Sequence, residues 1–348
     1  MSTEKQRDHE QPFADALVTT ASANLPSRFF DRFMFNLHPA DATAPSLILG
    51  AGAYPPRNVL DGFIVLSTGS EQRNLRLSTE LDDTDGSSIG PLSWQLLEDN
   101  ERWALKLGPN PTGLELDLEW HARTPYWLGR VEVENEGDEP TSFEHLFQSG
   151  RYSGTMRLDG KDSDVSGWYG QRDRSRGVRT MSGGQGLHIW YQAQFADYCV
   201  GFLLVEDRSG GALVLDGAIM HESGELDYVA AVKHDLTFTE GNDLVSGTVD
   251  VTAQSGRHYV IEADARVGGG FMNGGGYDGQ HGKQRGKDFE EFDVYPFDGT
   301  VSPRTLGSAL TDRCARFECD GEVGYGILEF ALSRSSSYSY APSRPSAE

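Results

Sequence analysis

The chain has 348 residues, with 30 Lys and Arg against 53 Asp and Glu for a formal net charge of -23. That surplus of acid, with no extended basic cluster to offset it, excludes a surface built for nucleic acid or for an anionic membrane face. The length suits roughly two domains.

Forty-one Gly, 15 Pro, 6 Trp, 13 Tyr and 17 Phe, with few long helical patterns, point to an all-β protein. Cys199, Cys314 and Cys319 lack paired spacing, which argues against a disulfide framework or a zinc site and for a reducing compartment. The opening MSTEKQRDHEQPFADALVTT has no signal-peptide core, and no apolar run approaches the ~20 residues of a membrane span. A soluble cytoplasmic protein is expected.

In chain order, residues 1–24 read as a mobile N-terminal arm because charge dominates them. RFFDRFMFNLHP (Arg28 to Pro39) then concentrates Phe29, Phe30, Phe33 and Phe35, more aromatic surface than a loop leaves in water, and reads as a core strand or a short helix. From Pro45 to Arg130 short apolar runs alternate with turn residues. Leu114, Leu116, Leu118 and Trp120 alternate with Glu115, Asp117 and Glu119, the period of a half-buried strand. The acids fit a solvated sheet face better than a metal site. Asp82, Asp83 and Asp85 before Gly86 lack the distal glutamate of a calcium loop and read as a turn.

VEVENEGDEPTSFEHLFQSGRYSG carries another strand, an acidic turn at Glu136 to Pro140 and a cluster in which Glu144, His145 and Gln148 lie beside Phe143 and Phe147. The domain boundary is placed here, giving an N-terminal β domain at 25–150 and a C-terminal one at 151–334. His145 is either a satisfied structural partner or a catalyst. Its position just before the most unusual stretch of the chain makes it a candidate.

That stretch runs from Tyr152 to Arg179. A strand-like run reaches a turn at Asp159-Gly160, and a second ends in Trp168-Tyr169 before GQRDRSRGVR. Arg172, Asp173, Arg174, Arg176 and Arg179 are crowded together in a strongly acidic protein. On one reading Arg172 and Asp173 form a structural bidentate bridge. On the functional reading such scaffolding projects Arg174, Arg176 or Arg179 into a cavity, to bind substrate oxygen or to stabilise developing negative charge.

After Arg179 strand runs separated by hairpin-like turns continue to Gly270, an antiparallel meander typical of a barrel or sandwich. GGGFMNGGGYDGQHG has neither the Lys-Ser/Thr of a phosphate loop nor a following helix, and reads as a closely packed loop. Phe271, Tyr277 and His281 border a ligand site on this reading. A closing hairpin turns at Asp320-Gly321 and includes GYGILEF with Glu329, and residues 335–348 read as a disordered tail.

No HExxH and no Walker loop is present in the sequence, and no dinucleotide fingerprint lies between a strand and a helix. An aromatic cavity with a few convergent charges is the expected site, and no cofactor or metal is expected. If the segments holding Trp168-Tyr169 and Trp190-Tyr191 pair, they line one pocket with the arginines. Tyr169, His145, Glu144 and His188 are the candidates for proton transfer. Gln148, Arg179, Tyr277, His281 and Glu329 complete the expected substrate-binding set.

HLFQSGRYSG, VSGWYGQRDRSRGVR and GYGILEF together resemble the lipocalin-like hydroxyneurosporene synthase (carotenoid 1,2-hydratase) and AttH-type superfamily, whose signature reads close to G-x-RDHSWG-x-R. Gly170, Arg172, Asp173, Ser175, Gly177 and Arg179 match; Arg174 and Arg176 stand where the signature has His and Trp. The resemblance implies two consecutive lipocalin-like β-barrel or sandwich domains with a ligand cavity at or between them. It also implies hydratases of isoprenoid double bonds or pericyclases that fold polyenes. Two arginines suit carotenoid hydration poorly, because a guanidinium neither delivers a proton readily nor tolerates a carbocation.

The expected activity is a cofactor-independent lyase or hydratase acting on a hydrophobic, aromatic or polyene-like small molecule. A pericyclase and a non-catalytic carrier of a hydrophobic ligand are the alternatives, with a carbohydrate-binding sandwich behind them. A homodimer is compatible with the sequence; a membrane span and a nucleic-acid partner are not expected.

Overall fold

A computed structural model of the protein describes residues 13, 17, 21, 24–41, 45–134, 140–180, 184–307 and 310–345. Most of the expected N-terminal arm and all of the acidic turn except Pro140 lie outside them. The described residues form strands joined by turns and three short 3-10 turns, with no α-helix. No helix of the described residues is long and apolar enough to cross a membrane.

The strands fall into two sheets. The first half of the chain supplies β1 (Phe29–Leu37), β2 (Ser46–Tyr54), β3 (Val59–Ser67), β4 (Glu71–Glu80), β5 (Ser88–Ile89), β6 (Leu92–Glu98), β7 (Arg102–Leu107), β8 (Leu114–Ala122) and β9 (Trp127–Val133). There follow β10 (Thr141–Leu158), β11 (Lys161–Asp164), β12 (Tyr169–Val178), β13 (Gln185–Gln194), β14 (Tyr198–Asp207), β15 (Ala212–His221) and β16 (Leu226–Phe238). The last are β17 (Leu244–Ala253), β18 (His258–Phe271), β19 (Phe289–Pro296), β20 (Thr311–Cys319) and β21 (Glu322–Leu332).

The first sheet runs β19-β4-β3-β2-β1-β12-β10-β8-β7-β6-β5, with β9 and β11 also paired to β10. It curls so far that Ile89 of β5 comes under Gly62 of β3. The period-two reading of β8 holds: Leu114, Leu116, Leu118 and Trp120 enter the core inside the curl. On the outer face Asp117 pairs with Lys106 at 3.2 Å and Glu119 with Arg102 at 2.9 Å across the strands. β2 and β3 instead are buried at every position, which explains their unbroken apolar runs. One face meets the core of the curl and the other meets Phe271 to Tyr277 and the end of β18.

β13 to β18, β20 and β21 close into an eight-stranded barrel around Tyr191, Phe202, Phe317 and aliphatic neighbours. The expected boundary between residues 150 and 151 falls inside β10, whose first part pairs with β9 and β12 and whose last part pairs with β8 and β11. β12 sits in the middle of the first sheet, and β19 returns from the second half of the chain to extend its edge. Hydrophobic alternation is the same in either sheet, so it cannot say which one a strand joins.

The expected disordered tail is ordered through Pro345 among the described residues. β16 pairs with β15 only at Leu226, Asp227 and Tyr228, which leaves the backbone farther along it in need of partners. The tail provides them. The Leu236 N–H donates to Tyr340 Oη at 2.7 Å, Ser343 N–H donates to the His234 carbonyl at 2.9 Å, and Tyr338 and Tyr340 pack on the barrel core.

At the centre of the first sheet, Arg174 of β12 lies directly opposite Phe33 of β1. Its Nε and Nη2 donate to Asp31 Oδ1 and Oδ2 at 3.0 and 2.8 Å, and both side chains are fully buried. Arg176 Nη2 approaches the same Oδ2 at 3.1 Å, and the ring of Phe13 lies against both guanidinium groups. Removing one partner leaves a buried charge unpaired. Arg174→Met is therefore expected to lower the unfolding free energy by about 3–5 kcal/mol in urea titrations; a loss below about 1 kcal/mol would show that the pair does not hold the sheet. Tyr340→Phe should lose about 1–2 kcal/mol by stranding the Leu236 amide, and an unchanged midpoint would mean the tail adds nothing to the barrel.

Candidate functional site

Successive side chains of a strand point to opposite faces. For β12 this divides the charged motif in two. Arg172, Arg174 and Arg176 face the core of the first sheet; Asp173, Ser175 and Gly177, followed by Arg179 beyond the strand, face the barrel.

The expected Arg172-Asp173 bridge therefore does not form. Arg172 Nη2 donates to Asn100 Oδ1 at 2.7 Å, and its guanidinium lies over Trp103 and Trp120. Burial, helped by the positive charge of Arg174, pushes its pKa down to about 9. Arg174 and Arg176 do not project into an aromatic cavity with Trp190: Asp31 holds both in the first sheet. Glu144 and Gln148 share that face, across from Arg176 and Arg172, and Gln148 Nε2 donates to the Thr124 carbonyl at 3.1 Å.

Three expected wall residues are also elsewhere. Tyr169 begins β12 beneath the guanidinium groups of Arg123 and Arg151, at the far end of the strand from His145. Trp168 packs against the first core and lines an open groove of about 620 Å³ with Pro39, Met156 and Ser163. Tyr191 points into the barrel, where its ring stacks on Phe202 at 4.8 Å. It follows Trp190 in β13 and so must face the other way.

The barrel-facing side of β12 collects the rest. Asp173 is flanked directly by Met34 of β1 and Phe147 of β10; Arg32 and His145 sit one step along, both opposite Ser175. His145 stacks on Trp190 with ring centroids 4.4 Å apart and planes 18° from parallel. Its Nε2 is 3.1 Å from Asp173 Oδ2, but the approach is off the N–H axis and neither ring nitrogen makes a well-directed hydrogen bond. The ring is thus anchored by stacking and attracted by a carboxylate, with its nitrogens uncommitted.

The barrel contributes a second group. His188 Nε2 lies 2.8 Å from Glu329 Oε1, and Glu329 stands directly across the β20–β21 pair from Asp312. Asp312 is fully buried, and its carboxyl group is within hydrogen-bond reach of the Glu329 carboxyl group. Burial first, then the negative charge of Glu329, raise its pKa well above the usual carboxylate value. The outcome is a carboxyl group whose neutral form is favoured, beside a second carboxyl group and an imidazole.

The glycine-rich loop closes the remaining side. A Cβ at Gly274 would fall 1.9 Å from Asn74 Oδ1, so only glycine lets this turn dock on β4. Docking brings Tyr277 under the Arg32 guanidinium at 4.9 Å and His281 edge-on to Tyr277 at 4.6 Å. His281 Nδ1 is 3.3 Å from Asp61 Oδ2, and burial lowers its pKa despite that neighbour. Burial also raises the Tyr277 pKa, keeping the phenol neutral. Burial alone would disfavour the Arg32 charge; Tyr277, Tyr54, Asp61 and Asp173 outweigh it, and its pKa is raised.

His145, Asp173, Arg179, His188, Trp190, Tyr277, His281 and Glu329 are thus brought together between the first sheet and the barrel. Arg32, Asp312, Asp61 and Tyr54 join them unforeseen. The signal for Arg32 was present: a cation between Phe30 and Met34 in a run otherwise destined for burial. Asp312 carries no local signal. Exposure grades the cluster, from 23% for the His188 side chain and 13% for Asp173 near solvent to none for Asp312.

No curated protein sequence matches the chain. Among solved structures, an AttH-type protein of Nitrosomonas europaea superposes with a TM-score of 0.62 at 12% identity, over 94% of this chain and 98% of that one. Kievitone hydratase of Nectria haematococca gives 0.54 at 11% identity over 93% and 94%. CghA bound to Sch210972 gives 0.50 at 8% identity over 92% and 95%. At these identities the likeness is one of fold. A model of the family of unknown function DUF8625 matches residues 9–339, and the chain belongs to that family.

Proposed function

We propose that the protein is a cofactor-independent lyase of hydratase type, adding water to or removing it from a hydrophobic small molecule seated between the first sheet and the barrel. The observation that carries this reading is the buried acid: Asp312 is fully buried directly across from Glu329, and burial with that neighbour raises its pKa, within a cluster that also holds the His145 imidazole 3.1 Å from Asp173. A carboxyl group of raised proton affinity and an imidazole in one site are the groups that reversible hydration uses. The resemblance in fold to a hydratase supports the same reading.

In the hydration direction His145 takes a proton from water, and Asp173 stabilises the imidazolium that forms. The water oxygen bonds to the electrophilic carbon of a conjugated double bond, as in an enone or a quinone methide. The displaced π electrons move to the conjugated oxygen, where Arg32 stabilises the negative charge. Asp312 protonates the resulting enolate, and His145 returns a proton to Asp312 through solvent, His188 and Glu329. Trp190 and Phe147 shape the apolar wall. Arginines 174 and 176 have no part in these steps.

A specific observation favours a second reading: the aromatic surface of Trp190, Trp127 and Phe147, with Trp190 and Trp127 centroids 6.2 Å apart. It would suit a cyclase in which shape does most of the work, and CghA shares the fold. Incubation of the protein with aryl enones and polyenes in heavy-oxygen water separates the readings by mass spectrometry. Label incorporated into the product supports hydration; an isomer of unchanged mass shows cyclisation, and unaltered ligand that nevertheless binds shows a carrier.

Asp312→Asn keeps the shape of the neutral acid without its proton and should reduce turnover by roughly 100- to 10,000-fold. Folding stability gives an independent check on the protonation state. Because the folded pKa is raised, the folded protein holds a proton that the unfolded chain releases, so stability falls as pH rises upward from the ordinary carboxyl range. The Asn variant should lack that decline and match or exceed the parent in melting temperature at neutral pH. Full activity in Asp312→Asn would remove Asp312 as the acid.

A further inference from the structure

The proposed chemistry leaves one cation at the cluster without a task. Arg179 follows β12, and its guanidinium lies 4.2 Å from the ring centroid of Phe143 and 5.2 Å from that of Phe30. The two rings are neighbours, 6.0 Å apart on either side of Gly177. No side chain fits between them, since a Cβ on Gly177 would lie 2.3 Å from the Ser142 carbonyl. The result is an apolar floor of two phenyl rings with a guanidinium lying against it.

Among the described residues that guanidinium has no ion-pair partner. No carboxylate lies within 4.0 Å of Arg179 among the described residues, and its buried Nε makes no hydrogen bond. Arg174 and Arg176 are met by Asp31 and Arg172 by Asn100, whereas Arg32, across the cluster, feels Asp61 and Asp173 among its neighbours. Asp173 and Glu329 attract Arg179 only from a distance, and Arg32 repels it. In a chain with net charge -23, a half-buried cation without a carboxylate is conspicuous. An unpaired cation shielded from water is unfavourable, and a bound anion relieves it.

We infer that Arg179, with Phe30 and Phe143, forms an anchoring subsite for a carboxylate carried on the substrate's hydrophobic body, so that the substrate is an aromatic or polyene acid. This rests on the proposed site between the first sheet and the barrel. The apolar body lies along Phe30 and Phe143, and the carboxylate accepts hydrogen bonds from Arg179. Arg32, on the same side of β1 two residues from Phe30, adds attraction and remains free for the reacting oxygen. Arg179 is a substrate-binding group in this scheme and moves no proton.

The test titrates the full-length protein with 2-naphthoate and with its neutral counterpart 2-naphthamide, followed by calorimetry. The acid should bind at least about tenfold more tightly than the amide, the difference made by one charge-assisted hydrogen bond. Arg179→Gln should bring the acid down to the amide's affinity while leaving the amide unchanged, which also shows that the variant is folded. The preference should fade as pH rises through the Arg179 pKa, which burial and Arg32 lower to about 10. Equal binding of acid and amide, an undiminished preference in Arg179→Gln, or no binding of either probe would overturn the assignment. Asp312→Asn should keep the preference. Loss of turnover with retained anion preference, or the reverse, therefore tells the two proposals apart.

Discussion

The bidentate pair of Arg174 with Asp31 joins β12 to β1 at the centre of the first sheet, with both charges out of water. Two ions so deeply buried are tolerable only when each answers the other with well-directed hydrogen bonds. That requirement sets which face of β12 turns inward, because a slip of one residue would bury Asp173 in an aromatic core and push Arg174 toward the barrel. Everything on the opposite face follows. Asp173 comes to lie one step along from Arg32 and His145, and Arg179 reaches the two phenylalanines beside Gly177.

The site so formed belongs to no single stretch of chain. β1 supplies Arg32, β10 His145, β12 Asp173, β13 His188 and Trp190, β20 Asp312, β21 Glu329, and the loop after β18 Tyr277 and His281. Placing unlike ionisable groups in one partly dry volume pushes their proton affinities apart, which is the arrangement acid–base chemistry uses. Buried Asp312 loses the solvation that would favour its charge, and Glu329 repels that charge further. An acid of this kind is a burden to the fold, which would be more stable with an apolar or amide group there. Such a burden is common where a site is kept for function.

Much of the architecture was legible. Alternation at Leu114 to Trp120, turn residues between short runs and the absence of helical periodicity identified an all-β chain, and the motif around GQRDRSRGVR pointed to the fold that the solved structures share. Of the candidate cluster, about half could be named from the sequence. His145, Asp173, His188, Trp190, Tyr277, His281 and Glu329 could be named because each lies near an unusual motif or beside aromatic residues. Arg174, Arg176 and Tyr191 were placed on the wrong face, although strand alternation would have separated Trp190 from Tyr191 and Asp173 from its flanking arginines. Asp312 was invisible because an aspartate at the start of a strand looks the same whether its neighbours are water or a carboxylate.

By itself, then, the order of residues determined that strands form, where they turn and which side chains share a face, because those properties depend on spacing over a few residues. Only the tertiary structure decided which sheet each strand joins. That choice rests on contacts between residues far apart in sequence, such as Asp31 with Arg174 and His145 with Trp190. It also decided the raised proton affinity of Asp312 and the distance of Arg179 from any carboxylate among the described residues, since burial and the separation of charges exist only once the sheet and the barrel have met.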